Sequence, residues 1–224
     1  MENNIKPNLS QFFLFILLII AGVVLYILLF SKAPAPENKT SEASSAAVMK
    51  NKQYDSQPAM TINQNKNYSA TFQTSKGEIV IELFAKETPI TVNNFVFLAR
   101  EGFYDGTLFH RIVKGFMIQG GDPQGNGSGG PGYKFEDEKI TREYKRGIIA
   151  MANSGRNTNG SQFFIMHKDY DLPKNYVIFG RVVKGLETID VIADVSTVEN
   201  GNQEKSKPTE KISIDKISIS ETST

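Results

Sequence analysis

The chain of 224 residues lacks cysteine and tryptophan entirely, and it has only two histidines, His110 and His167. Without cysteine there is no disulfide framework, no thiolate nucleophile and no cysteine-based zinc site. The absence of cysteine does not indicate the cellular compartment, because a cysteine-free chain suits reducing and oxidising compartments alike. Two histidines are too few for a histidine-rich metal centre. The sequence therefore implies neither a metal nor an organic cofactor.

A charge excess of one sign is also missing, because 25 Lys and Arg face 24 Asp and Glu. A nucleic-acid-binding protein needs a basic face, and this balance gives no reason to expect one. With 40% hydrophobic residues, the chain has room for one ordinary domain plus appendages.

One long hydrophobic run is present near the amino end. Phe12 to Phe30 is 19 residues without a charge, and such a helix would be about 28 Å long, close to the thickness of a bilayer's hydrocarbon core. The run predicts a single transmembrane helix at 12–30, preceded by a short tail at 1–11. A buried core helix and a cleaved signal peptide are the alternatives, although Pro36 would follow the cut at Ala33-Pro34-Ala35.

The residues on either side of this run bear on topology. Lys6 on one side and Lys32 and Lys39 on the other leave little bias for the positive-inside rule. A very short leading tail before a long carboxyl domain favours the amino terminus inside and the domain on the extracytoplasmic side, with a cleaved and secreted form as the alternative. From 31 to 67 the composition is polar and aperiodic, which predicts a flexible linker.

The remaining chain carries the pattern of a β-rich domain. Alternating apolar residues predict a hairpin of 70–75 and 77–84, and Thr88 with Pro89 predicts the start of a helix that ends before Gly102. Further short strands are expected at 109–113, 116–119, 148–152, 162–166, 177–183 and 212–219, with a second helix near 186–193. Many short strands and glycine-rich turns favour an all-β barrel or sandwich.

Two segments of this domain, 109–122 and 151–165, carry the residues that suggest chemistry. Each places a few polar side chains among aromatic and thioether groups, a composition typical of a pocket that holds an apolar ring and hydrogen-bonds the backbone beside it. Proline within a peptide is such a ligand. The polar residues are Arg111, Gln119, Asn153 and Gln162, and the apolar ones include Phe116, Met117 and Phe164.

These segments, with KFEDE at 134–138 and VIFGRVVKGLETID at 177–190, resemble the cyclophilins, a family of peptidyl-prolyl cis-trans isomerases. The resemblance covers about 68–220 and leaves 221–224 as a carboxyl-terminal tail. It implies a closed, eight-stranded antiparallel β-barrel capped by two helices. Its implied partners are proline-containing peptides and unfolded or partly folded proteins.

The resemblance also implies roles for individual residues. Arg111 would be the catalytic residue, because its N–H groups can stabilise the amide nitrogen of an X-Pro bond once rotation removes conjugation. A non-catalytic scaffold or holding chaperone using the same groove is the alternative, and it would not need this arginine. The substrate-binding residues would be Phe116, Met117, Gln119, Ala152, Asn153, Gln162, Phe164, Leu172 and Tyr176.

The stretch from Tyr170 to Tyr176 departs from the family pattern. Many cyclophilins have a tryptophan before the leucine that corresponds to Leu172, and a histidine where Tyr176 lies. This chain has no tryptophan, and the tryptophan position is taken by Asp171 or, if the shortened loop shifts, by Tyr170. A tyrosine offers ring surface and a hydroxyl donor, so we expect proline binding and turnover to survive. Loss of the indole predicts weak cyclosporin binding.

Overall fold

The computed structural model describes residues 53–223, which contain two helices and eleven strands. The helices are α1 (Pro89–Arg100) and α2 (Leu186–Ala193). The strands are β1 (Lys66–Thr74), β2 (Gly77–Leu83), β3 (Thr107–Leu108), β4 (Arg111–Val113), β5 (Met117–Gly120), β6 (Ile148–Met151), β7 (Phe163–Met166), β8 (Ile178–Lys184), β9 (Thr197–Glu199), β10 (Lys205–Pro208) and β11 (Ser213–Ser223).

Nine of these strands form one curled antiparallel sheet in the order β3-β11-β1-β2-β8-β6-β7-β5-β4. Its two edge strands, β3 and β4, are consecutive in the chain and are separated by only Phe109 and His110. Because so short a connection spans little distance, the two edges of the sheet must lie close together. The sheet is therefore curled, but β3 and β4 are not paired with each other, so it is open at this point, where the resemblance implies a closed barrel.

The strand count differs from the expected eight because the predicted strand 109–113 is divided. Thr107 and Leu108 pair with β11, whereas Arg111 to Val113 pair with β5, so one bent segment supplies both edges. A further antiparallel bridge joins Leu108 to Asp122, just after β5. Short β9 and β10, which the sequence pattern did not predict, form a separate two-stranded hairpin.

The inside of the curled sheet holds the main core, and Phe163 lies at its centre. Its ring contacts those of Phe72, Phe95 and Tyr104 edge-on, with centroid separations of 5.6, 6.0 and 5.7 Å. Such aromatic pairs add to the stabilisation that burial alone provides. The predicted apolar stripe of α1 packs into this core, and its residues Val92, Phe95, Val96 and Ala99 are all buried.

Helix α1 begins where the sequence predicts, after Thr88 and with Pro89 in its first turn, but Thr88 does not cap it with its side chain. Glu138 does so instead. Its carboxylate accepts hydrogen bonds from the backbone N–H groups of Ile90 at 2.9 Å and Thr91 at 2.7 Å. A carboxylate at the N-terminal end of a helix also interacts favourably with the helix dipole. Glu138 of the KFEDE segment therefore stabilises α1, although it lies 48 residues from Ile90 in the sequence.

The predicted linker is wrong for residues 53–67, which pack on the domain. Asn93 of α1 accepts hydrogen bonds from the N–H groups of Thr61 and Ile62 and donates one to the carbonyl of Ala59. Ile62 is buried, and the Tyr54 ring lies 5.2 Å from that of Phe97. We call residues 53–65 the N-terminal strap. Its polar composition hid this docking, because one buried isoleucine and one tyrosine give no periodic signal.

The predicted boundaries at 68 and 220 both fall inside strands. Strand β1 begins at Lys66, and β11 continues to Ser223, where the two strands pair in register from Lys66 with Ser223 onward. Residues 221–223 are therefore part of the sheet and not a tail. Serine and threonine on this last strand weaken the alternation that would have revealed its length.

The predicted tail at 1–11, the predicted transmembrane segment at 12–30 and the linker at 31–52 lie outside the described residues. Between residues 53 and 223, neither helix has the length and hydrophobicity needed to cross a bilayer.

We expect the N-terminal strap to stabilise the domain. A fragment beginning at residue 66 should unfold at lower urea concentration than one beginning at 53, by about 2 to 4 kcal/mol, because Ile62 and the Tyr54 ring lose their burial. Tyr54→Ala should reproduce part of this loss. Met60→Ala, which alters an exposed strap residue, is the matched control, and equal stability of the two fragments would contradict the role of the strap.

Candidate active site on the outer face of the sheet

A second apolar cluster lies on the outer face of the sheet, opposite the main core. Along a strand, successive side chains point to opposite faces. Thus Ile118 and Ile165 join the main core, whereas Met117, Phe164 and Met166 point outward. The buried members of this outer cluster are Phe84, Met117, Tyr144, Ile148, Ala150, Phe164, Met166 and Ile178, and its partly buried members are Val113, Phe116, Ile140, Ala152, Leu172 and Tyr176.

Arg111 lies at the edge of the outer cluster because of the strand register. It pairs with Gln119 across β4 and β5, and Gln119 pairs with Phe164 across β5 and β7. Directly paired residues share one face of a sheet, so the arginine, the amide and the aromatic ring form a row. The Arg111 Nη1 atom lies 3.0 Å from Gln119 Oε1 and 3.7 Å from Met117 Sδ.

The amides next to Arg111 form a directional chain of hydrogen bonds. Gln119 accepts from Arg111 and donates through Nε2 to Gln162 Oε1 at 3.1 Å. Gln162 in turn donates to the backbone carbonyls of Gly127 and Gly129, at 3.0 and 2.9 Å. Each acceptor thus fixes the orientation of the next amide, and the row is held in one arrangement.

The loop that supplies these carbonyls is organised by Asp122. Its buried carboxylate accepts hydrogen bonds from the N–H groups of Gln124, Asn126 and Gly127. Gly129 approaches it so closely that a Cβ there would lie 2.0 Å from Asp122 Oδ1. This segment is a tight loop bordering the outer cluster, and its glycines serve turns and close packing.

Residues 153–160 form a second loop beside the outer cluster. Asp137 of the KFEDE segment holds this loop in place. Asp137 accepts from the N–H of Asn157 at 3.0 Å and from Asn159 Nδ2 at 2.8 Å. Asn157 has a positive φ of 58°, a conformation that asparagine tolerates better than most residues. Ahead of this turn, Asn153 Nδ2 donates to the Asn175 carbonyl at 2.8 Å, which joins the loop to the segment that carries Tyr176.

Tyrosines form the wall where the family pattern has tryptophan and histidine. The Tyr176 ring meets the Phe164 ring edge-on at 5.4 Å, and the Tyr144 hydroxyl donates to the Tyr176 carbonyl at 2.9 Å. Burial raises the pKa of Tyr144, so its hydroxyl stays a donor. The exposed Tyr170 ring lies 4.7 Å from that of Phe116.

Glu204 is bound to the Arg111 guanidinium, although the two residues are 93 positions apart. Both carboxylate oxygens accept, from Nε and from Nη2, each at 2.7 Å. These hydrogen bonds lower the pKa of the Glu204 carboxyl to about 2. The side chains are 31% and 38% exposed, so the pair is partly screened by solvent.

The structure brings together every residue that the sequence singled out. Apolar members lie in the outer cluster, the glutamines join the hydrogen-bonded row with Arg111, and Asn153 contacts the Tyr176 segment. Sequence reasoning missed Glu204 and Tyr144, whereas it had named Tyr170 as one of two residues for the tryptophan position. Nothing in the local sequence marks Glu204, because its partner is far along the chain, whereas an aromatic residue before a predicted strand could have suggested Tyr144.

The two histidines do not serve this site as proton carriers. His110 is largely buried beside the glycine-rich loop, and burial lowers its pKa, which keeps the ring neutral. His167 accepts the Gly115 N–H at Nδ1 and lies 3.1 Å from Asp190 through Nε2. Both histidines therefore have a structural role, and neither is paired with a nucleophile among residues 53–223.

An antiparallel curled sheet with an arginine and two glutamines beside an apolar outer cluster is the arrangement expected from the sequence resemblance. Residues 69–219, about two thirds of the chain, match the family model described as cyclophilin type peptidyl-prolyl cis-trans isomerase/CLD. The chain belongs to the cyclophilin family. It is accordingly a peptidyl-prolyl cis-trans isomerase.

Similar cyclophilins come from distant organisms. The chain is 49% identical over 135 residues to peptidyl-prolyl cis-trans isomerase CYP18-1 of Arabidopsis thaliana, covering 58% of this chain and 84% of that protein. It is 44% identical over 140 residues to a peptidyl-prolyl cis-trans isomerase of Helicobacter pylori, covering 60% and 86%. A crystal structure of a cyclophilin type isomerase from Cryptosporidium parvum matches with a TM-score of 0.64 at 38% identity, over 69% of this chain and 98% of that one.

The Arg111–Glu204 pair predicts a pH dependence of stability. Because the pKa of Glu204 is lowered from 4.5 to about 2, the pair stabilises the folded state above about pH 4.5, and this contribution is lost as the pH falls toward 2. The difference in Tm between wild type and Glu204→Gln should be constant above pH 5 and shrink below pH 4. A difference that stays unchanged between pH 6 and pH 2.5 would contradict the assignment.

Proposed function

We propose that this cyclophilin isomerises X-Pro bonds with Arg111 as its catalytic residue and the outer cluster as its proline site. The supporting observation is that Arg111 Nη1 lies against Met117 and Gln119, at the boundary between apolar surface and hydrogen-bonding groups. A proline ring on the cluster would bring its amide nitrogen to this boundary. The ring-binding residues would be Phe116, Met117, Phe164, Leu172 and Tyr176, and the backbone-binding residues Gln119, Ala152, Asn153 and Gln162.

The chemistry follows from the electronic structure of the amide. The rotation barrier of roughly 18 to 20 kcal/mol arises because the nitrogen shares its lone pair with the carbonyl. In the twisted state this sharing is lost, and the nitrogen becomes a better hydrogen-bond acceptor. An arginine N–H directed at it therefore stabilises the transition state more than the ground state, and no proton needs to be transferred.

Glu204 engages two of the five guanidinium N–H groups of Arg111. Glu204 engages the side edge through Nε and Nη2, and Gln119 engages Nη1. The outer edge between Nη1 and Nη2 faces neither carboxylate oxygen, because an arginine presents its five N–H groups in a planar fork. This edge can serve the proline nitrogen and a neighbouring carbonyl together.

Replacement of Arg111 tests this role. We expect Arg111→Ala to fold normally and to lower kcat/KM for a proline-containing tetrapeptide about 100-fold, as when one preorganised transition-state donor is removed. Arg181→Ala is the matched control, because Arg181 also lies on a strand and pairs with a glutamate at 2.7 Å. Unchanged isomerisation by Arg111→Ala would refute the mechanism.

The scaffold or holding-chaperone alternative makes a different prediction for the wild-type protein. Simple binding needs the apolar surface and the backbone contacts but no donor at the amide nitrogen. Under the alternative, wild type would bind the peptide without accelerating its isomerisation. Activity of the wild-type fragment 53–224 therefore separates the two.

We propose further that the isomerase is tethered to a membrane by residues 12–30, with its amino terminus inside and its domain on the extracytoplasmic side. The support is the charge-free run of 19 residues, whose length as a helix matches the hydrocarbon core of a bilayer. Its clients would then be exported or membrane-proximal chains that fold slowly because of proline. Cleavage and secretion is the alternative.

Protease treatment of intact cells or spheroplasts tests this topology. We expect an externally added protease to remove the domain while a cytoplasmic marker protein survives. The secreted alternative predicts the domain in the medium or periplasm without residues 12–30. A membrane-bound domain that resists protease until the cells are lysed would overturn the proposed orientation.

We also propose that cyclosporin binds weakly. The described segment from Tyr170 to Tyr176 offers no indole, and the exposed Tyr170 ring packs on Phe116. Loss of the indole N–H and of its stacking area removes contacts that a large apolar ligand would need. Calorimetry with wild type and Tyr170→Trp should give a larger dissociation constant for wild type, and tight binding by wild type would refute the proposal.

A further inference from the structure

The most unexpected contact in the site is the one between Arg111 and Glu204. Both carboxylate oxygens engage the guanidinium at 2.7 Å in a parallel, two-point arrangement. Two-point pairing fixes the plane of an arginine as well as its position, which a single hydrogen bond does not do. With Gln119 on Nη1, the guanidinium is thereby held on two of its edges.

Glu204 is itself held by the hairpin of β9 and β10. Asn200 Oδ1 accepts from the Glu204 N–H at 3.1 Å, and the Asn200 N–H donates to the Glu204 carbonyl at 2.8 Å. Asn200 Nδ2 reaches the buried Ser206 hydroxyl at 3.0 Å, which ties the loop to β10. The carboxylate is therefore presented by an ordered loop and is not a freely rotating surface glutamate.

An isolated ion pair on a surface contributes little to stability, so stability alone does not explain this arrangement. A free arginine side chain loses considerable rotamer entropy when a reaction requires it in one conformation. A carboxylate that orders the guanidinium beforehand removes this cost from the catalytic step, provided that it leaves the reacting edge open. Glu204 occupies the side edge formed by Nε and Nη2 and does not occupy the outer edge between Nη1 and Nη2.

We propose that Glu204 is a positioning residue for the isomerase reaction, holding the Arg111 guanidinium so that its outer edge faces the X-Pro nitrogen. This inference rests on the proposed catalytic role of Arg111. The hairpin of β9 and β10 is then a supporting element of the active site. A lowered pKa of the carboxyl is consistent with this role, because the pair stays charged at physiological pH.

The test compares Glu204→Gln with wild type in fragment 53–224. We expect kcat for a proline-containing tetrapeptide to fall about tenfold while KM changes little, because the apolar surface is untouched. The matched control is Glu221→Gln on β11, outside the outer cluster, which removes carboxylate contacts with Lys66 and Arg100, both at 3.0 Å, from a side chain that is 38% exposed, as is that of Glu204. This control should retain wild-type kcat.

A spectroscopic measurement follows the arginine directly. The Arg111 Nε–H signal in NMR, assigned by its absence in Arg111→Ala, should exchange slowly with water in wild type and rapidly in Glu204→Gln. If Glu204→Gln lowers the Tm by more than the control variant does, the measurement is repeated with Glu204→Asp, which keeps the negative charge on the hairpin. We expect the kcat of Glu204→Asp to lie between those of wild type and Glu204→Gln.

A double-mutant cycle separates this inference from the proposed role of Arg111. If Glu204 acts through the arginine, Glu204→Gln should have no further effect on kcat in the Arg111→Ala background. A wild-type kcat in Glu204→Gln with a rapidly exchanging Nε–H, or a tenfold loss that persists without the arginine, would overturn the positioning role. Full activity of Arg111→Ala alone would instead refute the catalytic role on which this inference rests.

Discussion

The whole arrangement depends on the two-residue period of the strands that carry the site. In β4, β5 and β7 this period sends Ile112, Ile118 and Ile165 into the main core. The same period sends the intervening side chains outward, where most sheets present polar groups to water. Here they are Met117, Phe164 and Met166, so the sheet has apolar side chains on both faces. One face forms the main core, and the other carries the outer cluster that we propose as the proline site.

One chain of hydrogen bonds fixes the polar side chains on this outer face. It runs from Glu204 through Arg111 and Gln119 to Gln162 and ends on loop carbonyls. An amide donates through its nitrogen and accepts through its oxygen. Once one neighbour of an amide in this chain is fixed, the orientation of that amide is fixed as well. Buried or half-buried polar groups that satisfy one another in this way are rigid, which suits a site that works by orientation rather than by proton transfer.

Acidic residues outside the site hold its supporting elements in place. Asp137 ties down the loop at 153–160, and its neighbour Glu138 caps α1, so a five-residue motif couples the main helix to one wall of the groove. Asp122 organises the opposite loop. The N-terminal strap covers α1 from the other side, through Asn93. The short strands that carry the candidate site are thus supported by carboxylates and amides that make long-range contacts.

Local sequence determined most of the elements, because they rest on short-range patterns. The β1–β2 hairpin, the start of α1 at Pro89 and α2 at 186–193 follow from alternation, a proline in the first helical turn and helical spacing within a few residues. The resemblance supplied the residues of the site together with the family. Tertiary structure alone decided what depends on contacts between distant segments: the division of 107–113 between two sheet edges, the docking of the strap, the capping of α1 by Glu138 and the pairing of Glu204 with Arg111. A hydrogen bond across 93 residues leaves no periodicity in the sequence, since only the folded chain brings its donor and acceptor together.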